Sequence, residues 1–201
     1  MPKAKQRTLK DILPYILLIG GSIGVFCAGI LTYEKIQLLK QPAAQLGCDL
    51  NPIVACGPVI NTHQAAAFGF PNPFLGLVGF AVVATIGAAM FAGATFRRWF
   101  WLGLQVGVIF GIAFVSWLQF ESMFRIQALC PYCMVVWAVT VPIFWYVTLY
   151  NLREKHIRVS KKYQGFVDFL QRHHGDILFL YYLSLIAVIG VHFWYYWQTL
   201  I

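Results

Sequence analysis

The sequence predicts an all-α integral membrane protein with five transmembrane helices. Two observations carry that prediction. Of its 201 residues, 60% are hydrophobic and only 11% are charged, where an average soluble domain is about 25% charged. The few charges fall in short clusters that separate five uncharged runs, each near the roughly 20 residues a helix needs to cross a bilayer. A water-soluble enzyme, a disordered chain and a fibrous protein are thereby excluded. The length fits one domain.

The elements follow in order. Residues 1–11 form a short basic tail. The first span covers 12–33, between Asp11 and Glu34. Its apolar run is too long for the core of a cleaved signal, and Phe26 before Cys27 is wrong for a lipoprotein site, so the span stays as a permanent helix. A connection rich in Pro and Gly covers 34–73. Spans follow at 74–96, 99–120 and 126–152, bounded by Arg97, Arg98, Glu121, Arg125 and Arg153. Residues 153–176 form a basic connection, and 177–201 the fifth span. Trp99, Trp101, Tyr150, Trp194, Tyr195, Tyr196 and Trp197 cluster near span ends, as in an interfacial aromatic belt. Glycines such as Gly20, Gly21, Gly24, Gly76, Gly79, Gly103, Gly107 and Gly111 suggest close helix packing, and Pro142 suggests a kink in the fourth span.

Charge sets the expected orientation. The net charge is +8, which in a soluble protein points to nucleic acid; here the basic residues orient the chain and meet anionic lipid instead. The tail and the second and fourth connections hold twelve Lys and Arg, against three (Lys35, Lys40, Arg125) on the other side. The positive-inside rule puts the N terminus in the cytosol of a cell with the chain in its inner, cytoplasmic membrane. The connections carrying Cys48, Cys56, Cys130 and Cys133 then face the oxidising, extracytoplasmic side.

Those cysteines carry the chemistry. Cys130-Pro131-Tyr132-Cys133 opens the fourth span: Pro131 suits the first helical position, and Cys130 and Cys133 share a helix face. A helix N-terminus favours thiolate, and thiolates exchange disulfides. Cys48 and Cys56 stand in a bent loop, where a pair can move between an outside protein and the embedded pair. The same residues also fit a static clamp, structural disulfides in a non-enzymatic membrane protein, or a thiolate site for copper or zinc. Cys27 lies mid-span and reads as an inert buried thiol with no partner at its depth.

In its cysteine order the sequence resembles the bacterial form of the vitamin K epoxide reductase family. The matching residues are Gly47-Cys48-Asp49 and Ala55-Cys56-Gly57, then Asn72, Phe74 and Gly76, and finally Cys130-Pro131-Tyr132-Cys133-Met134. The resemblance covers about residues 12–150, which would be the catalytic domain within 12–152. It implies a four-helix bundle around a quinone pocket, with the fifth helix an extra C-terminal span. It implies a thiol oxidoreductase that reoxidises an extracytoplasmic thioredoxin-fold partner and passes electrons to a membrane quinone, menaquinone or ubiquinone. No thioredoxin-like segment follows the last span, so the expected form is single-domain with a separate partner. Cys130 and Cys133 become the quinone-side pair, Cys48 and Cys56 the shuttle, and Asn72 a quinone hydrogen-bonding group. The vertebrate branch has a tyrosine one turn beyond its CxxC; Trp137 stands there here and favours quinone over vitamin K epoxide. A four-helix thiol oxidase that uses quinone is the enzymatic rival, but its loop pair would follow the CxxC helix.

Further residues have modest expectations. Trp137, Met134, Phe74 and Phe124 are candidates to line the pocket. Asn72, before Pro73, suits a helix cap as well as a ligand contact. Phe68-Gly69-Phe70-Pro71 reads as an interfacial lid, held by a short helix from Pro58 to Ala67. Asp49 and His63 read as solvated loop groups, Asp49 with a possible effect on the Cys48 thiol. His173 and His174 read as solvated, and His192 as a packing hydrogen bond at depth. No metal ligand set is expected.

Overall fold

The computed structural model describes residues 3–41 and 46–198, with side chains from Leu9 onward. The expected tail, first connection and fifth span include residues 1–2, 42–45 and 199–201, which lie outside the described residues. All regular structure described is helical: α1 (Lys3–Lys40), α2 (Gly57–Ile60), α3 (Pro73–Phe91), α4 (Arg98–Phe120), α5 (Pro131–Arg153), α6 (Gln164–Arg172), α7 (His174–His192) and α8 (Trp194–Trp197). Five of these, α1, α3, α4, α5 and α7, are long and apolar enough to cross a membrane.

The spans match the uncharged runs in number and place, but their ends differ for physical reasons. α1 continues to Lys40, past Glu34 and Lys35. An uncharged run measures bilayer thickness, and charged residues outside it are good helix formers. The first connection therefore starts later than residue 34. The fourth span starts at Pro131 rather than 126, because the residue before a proline is driven out of the helical region; Cys130 has φ −82° and ψ 122°. The fifth helix stops at His192, and α8 follows as a separate turn. The basic connection contains the amphipathic α6, where no helix is expected from the sequence. Pro14 and Pro142 both lie inside continuous helices.

The spans pack in the order α3, α1, α5, α4, with α1 against α3 and α5, and α5 against α4. α3 and α4 barely meet, so a cavity lies between them. α7 stands outside this four-helix bundle, tied to α5 by the Tyr182 hydroxyl donating to the Ala138 carbonyl at 2.6 Å. Glycine makes the α1–α3 contact possible. A Cβ on Gly21 would stand 2.6 Å from the Ala84 nitrogen, and one on Gly87 would stand 2.5 Å from the Leu18 nitrogen. Gly103, Gly107 and Gly111 differ: a Cβ there would meet nothing within 4 Å. They face the cavity instead, which corrects the close-packing expectation for α4.

At the basic end, a buried polar network joins α4 to α5. Asn151, wholly buried, donates to the Trp101 carbonyl at 3.2 Å and to Gln105 Oε1 at 2.9 Å, and its Oδ1 pairs with His156 Nδ1 at 3.1 Å. Gln105 donates to Thr148 Oγ1 at 2.9 Å. Asn151 and Gln105 each have partners, so the network fixes register while keeping these buried amides satisfied.

Candidate redox site

At the opposite end, four cysteines converge. Cys130 caps α5, and its sulfur accepts from the Cys133 amide at 3.4 Å. The segment before it is shaped by a π-helical turn, Glu121–Ile126, which ends at Gln127 in the left-handed region, φ +57°. The Ser122 carbonyl then accepts from the Ala128 amide at 3.2 Å, and the Ser122 hydroxyl donates to the Ala128 carbonyl. That turn presents residues 128–130 to the first connection.

The first connection is built by its own side chains. Asn51 Oδ1 accepts from the amides of Ile53 and Val54 at 3.0 and 2.7 Å. Asp49 Oδ1 accepts from the amides of Cys56 and Gly57 at 2.8 and 2.9 Å. Asp49 therefore closes the loop around the cysteine pair, and is more than a solvated charge. Two backbone bonds dock this loop on the next: Leu129 N to Ile53 O at 2.7 Å and Ala55 N to Leu129 O at 3.0 Å. The residues that follow, Cys56 and Cys130, are each fully buried. Their sulfurs lie 3.2 Å apart.

Cys48 and Cys56 are joined in a disulfide, while Cys130 and Cys133 are free. Leu31 and Leu38 of α1, with Ile60, pack around Cys48, Cys56 and Cys130, and Cys133 lies at the edge of that cluster. The hydrogen bond from the Cys133 side chain, with the amides of Cys133 and Tyr132, holds the Cys130 thiol below its ordinary range, against burial and the Asp49 carboxylate, which push it up. Cys27 is a free, buried thiol on α1, one turn before Leu31.

Cys133 also lines the cavity, whose volume is about 670 Å³. Nearly all of its wall is apolar; α3 and α4 supply about half of the lining, as far as Trp99 and Phe100 at the basic end, and α1, α5 and the first connection supply most of the rest. Most of its polar side chains gather toward the cysteine end, namely Lys35, Thr62, Gln64, Asn72, Glu121 and Ser122, with Thr140 about two turns beyond Cys133 on α5. A flat polar-edged ring with a long apolar tail fits that distribution, in a cavity of ordinary ligand size.

The sequence candidates separate at this cavity. Asn72 and the buried Trp137 line it. Phe74 does not; it is 42% exposed and turns outward from the first turn of α3. Met134 and Phe124 are also outside the lining. Met134 packs with Ile53, Met123, Leu129 and Phe193, because one residue along the helix from Cys133 turns it to another face. Phe124 contacts Phe120 and His192. Asn72 is not a side-chain cap of α3. Its Nδ2 donates to the Gln64 carbonyl at 2.6 Å and its Oδ1 accepts from the Ala67 amide at 3.1 Å, so it clamps the lid. The support of that lid, expected as one helix from Pro58 to Ala67, is instead α2 followed by a short 3₁₀ turn, His63–Ala66. Phe68 lies over Phe110 and Phe114 of α4, and Gly69 supplies the positive φ of +81° that this turn requires.

His63 is exposed, as expected. His174 is not simply solvated: its ring pairs with the Tyr146 hydroxyl at 2.9 Å. His192 packs edge-on against Phe124 and Phe193. Glu121, read from sequence only as a span boundary, and Lys35, counted there only among the outer-side basic residues, both line the cavity. For Lys35 the signal was available: it stands between Leu31 and Leu38 at helical spacing, on the apolar face.

The chain matches the family described as "Vitamin K epoxide reductase family" over residues 15–148, from α1 to near the end of α5. No curated protein matches it.

Proposed function

Because the chain belongs to the vitamin K epoxide reductase family, and is therefore a membrane redox enzyme that works through cysteines, we propose that it reoxidises an extracytoplasmic thioredoxin-fold protein and delivers the electrons to a membrane quinone. One observation carries this reading: Cys56 and Cys130 sulfurs are 3.2 Å apart, while Cys133, one turn on, lines an apolar cavity. The partner is water-soluble and the acceptor lipid-soluble. Two cysteine pairs in contact bridge those phases, which one fixed pair cannot do.

Each step exchanges one disulfide for another. A partner thiolate attacks Cys48, forming a mixed disulfide and releasing Cys56 as thiolate. Cys56 attacks Cys130 of a Cys130–Cys133 disulfide, and Cys133 leaves as thiolate. The partner's second thiol resolves the partner–Cys48 bond, freeing Cys48. Cys48 then attacks Cys56, which restores the loop disulfide and releases Cys130. The observed arrangement, with Cys48–Cys56 bonded and Cys130 and Cys133 free, corresponds to the state after that transfer. A quinone, menaquinone or ubiquinone, supplies an acceptor for two electrons and two protons when bound. Cys133 and Trp137 would border its ring, and Asn72 would hold the lid over it. The open seam between α3 and α4 would admit its tail from the bilayer.

The twelve-to-three division of basic residues supports a cytosolic N terminus in the inner membrane, with the cysteine end extracytoplasmic. The deciding experiment supplies purified chain with a reduced thioredoxin-fold protein and a soluble-tailed ubiquinone or menaquinone. Quinol formation that disappears in Cys133→Ser supports the reading. Oxidation of the partner without quinol, or bound copper or zinc in stoichiometric amount, would overturn it in favour of structural or metal-binding cysteines.

A further inference from the structure

Resting on the quinone reading above, we propose that Lys35 is a catalytic residue, whose ammonium group donates a charge-assisted hydrogen bond to the quinone oxygen that receives negative charge. When Cys130 and Cys133 form their disulfide, two electrons leave the sulfurs and two protons leave the thiols. Both electrons and both protons end on the quinone oxygens, and Lys35 keeps its own proton throughout. Sulfur and oxygen do not exchange charge and protons at the same instant. Negative charge therefore arises on an oxygen inside an apolar cavity, where an unpaired anion is costly and a preorganised cation is worth most.

Two charged side chains line the cavity, Lys35 and Glu121. Glu121 is already engaged at both oxygens: Arg125 pairs with Oε1 at 3.2 Å, and Gln64 donates to Oε2 at 3.1 Å. Lys35 forms no ion pair with any described carboxylate. Its Nζ donates to the Ile60 carbonyl at 3.0 Å. An ammonium has three donors, so that bond aims the group and leaves others for a ligand. Placement agrees with the role. Leu31, Lys35 and Leu38 share one face of α1. Leu31, Leu38 and Ile60 all pack in the cluster that holds Cys48, Cys56 and Cys130, with Cys133 at its edge. Lys35 thus stands on the boundary between the thiols that give up electrons and the cavity that would hold their acceptor.

The test uses two ligands of nearly equal shape: a 2-hydroxynaphthoquinone, anionic at neutral pH, and its uncharged methyl ether. Binding to the full chain is read by quenching of tryptophan fluorescence. The wild type should prefer the anion, and Lys35→Met should lose that preference by about tenfold or more, the worth of a hydrogen bond to a charged group. Lys35→Met should also lose about 100-fold in quinone turnover, with little change in KM. Lys35→Arg should restore part of both. Exchange between Cys56 and Cys130, followed by mass spectrometry, should stay at the wild-type rate. An unchanged anion preference in Lys35→Met overturns the proposal. So does an equal loss in the internal exchange, which would make Lys35 a pin for the end of α2. A wild-type chain that binds neither ligand overturns the quinone reading itself, and Lys35's role with it.

Discussion

The Ala55 amide donates to the Leu129 carbonyl at 3.0 Å, one residue before Cys56 on one strand of chain and Cys130 on the other. That single backbone bond, with its neighbour from Leu129 to Ile53, sets the register in which the two sulfurs meet at 3.2 Å. In the proposed relay it favours Cys56 over Cys48 as the loop thiol that exchanges with Cys130.

A trapping experiment checks this register. In Cys48→Ser with Cys133→Ser, a Cys56–Cys130 bond has no resolving thiol and should accumulate, seen by mass spectrometry of digested protein. The rival pair, Cys56→Ser with Cys133→Ser, should give little Cys48–Cys130 product. The opposite pattern would exchange the roles of Cys48 and Cys56.

Asp49 holds the amides of Cys56 and Gly57. Asp49→Ala removes the acceptor of the part-buried Cys56 amide, at a cost of about 1 kcal/mol, while water can replace it at the exposed Gly57 amide. Internal disulfide exchange should slow by about tenfold, while quinone binding is unchanged. Asp49→Asn keeps an acceptor oxygen and should be the milder variant. Equal exchange rates in wild type and Asp49→Ala would remove Asp49 from the positioning of Cys56.

The depressed Cys130 thiol gives a pH signature. Its leading cause is the hydrogen bond from the Cys133 side chain. A lowered thiol pKa means that thiolate persists to lower pH, so attack of Cys130 on Cys56 should level off below the ordinary thiol range of about 8.5. Cys133→Ser retains a donor, whereas Cys133→Ala does not. The midpoint of trapping should therefore lie at higher pH in Cys133→Ala. Identical midpoints in the two variants would exclude that hydrogen bond as the cause.

Two glycines separate fold from cavity. Gly21 abuts the Ala84 backbone, and Gly107 faces open cavity. Gly21→Ala should destabilise the bundle by about 1–3 kcal/mol, since backbone cannot give way. Gly107→Leu should change thermal stability little yet weaken binding of a long-tailed quinone, because the side chain occupies the cavity. Full quinone affinity in Gly107→Leu would place the ligand elsewhere.

The sequence by itself determined the five spans, because bilayer thickness imposes a minimum uncharged length that composition alone reveals. It also marked Pro131 as a first helical position, although the uncharged run alone overshot the start of α5 by five residues, and it singled out the two cysteine pairs by their spacing. What faces what had to wait for the tertiary structure. The loop docks through backbone bonds at residues 53–55 and 129, and backbone amides carry no residue identity that a sequence could show. Phe74 and Met134 left the cavity while Lys35 and Glu121 entered it, because helix rotation decides which side chains turn inward. Gly21 and Gly107 are identical in sequence. One permits α1 and α3 to touch, and the other faces the gap where α3 and α4 do not, and only the packing of four helices makes that distinction.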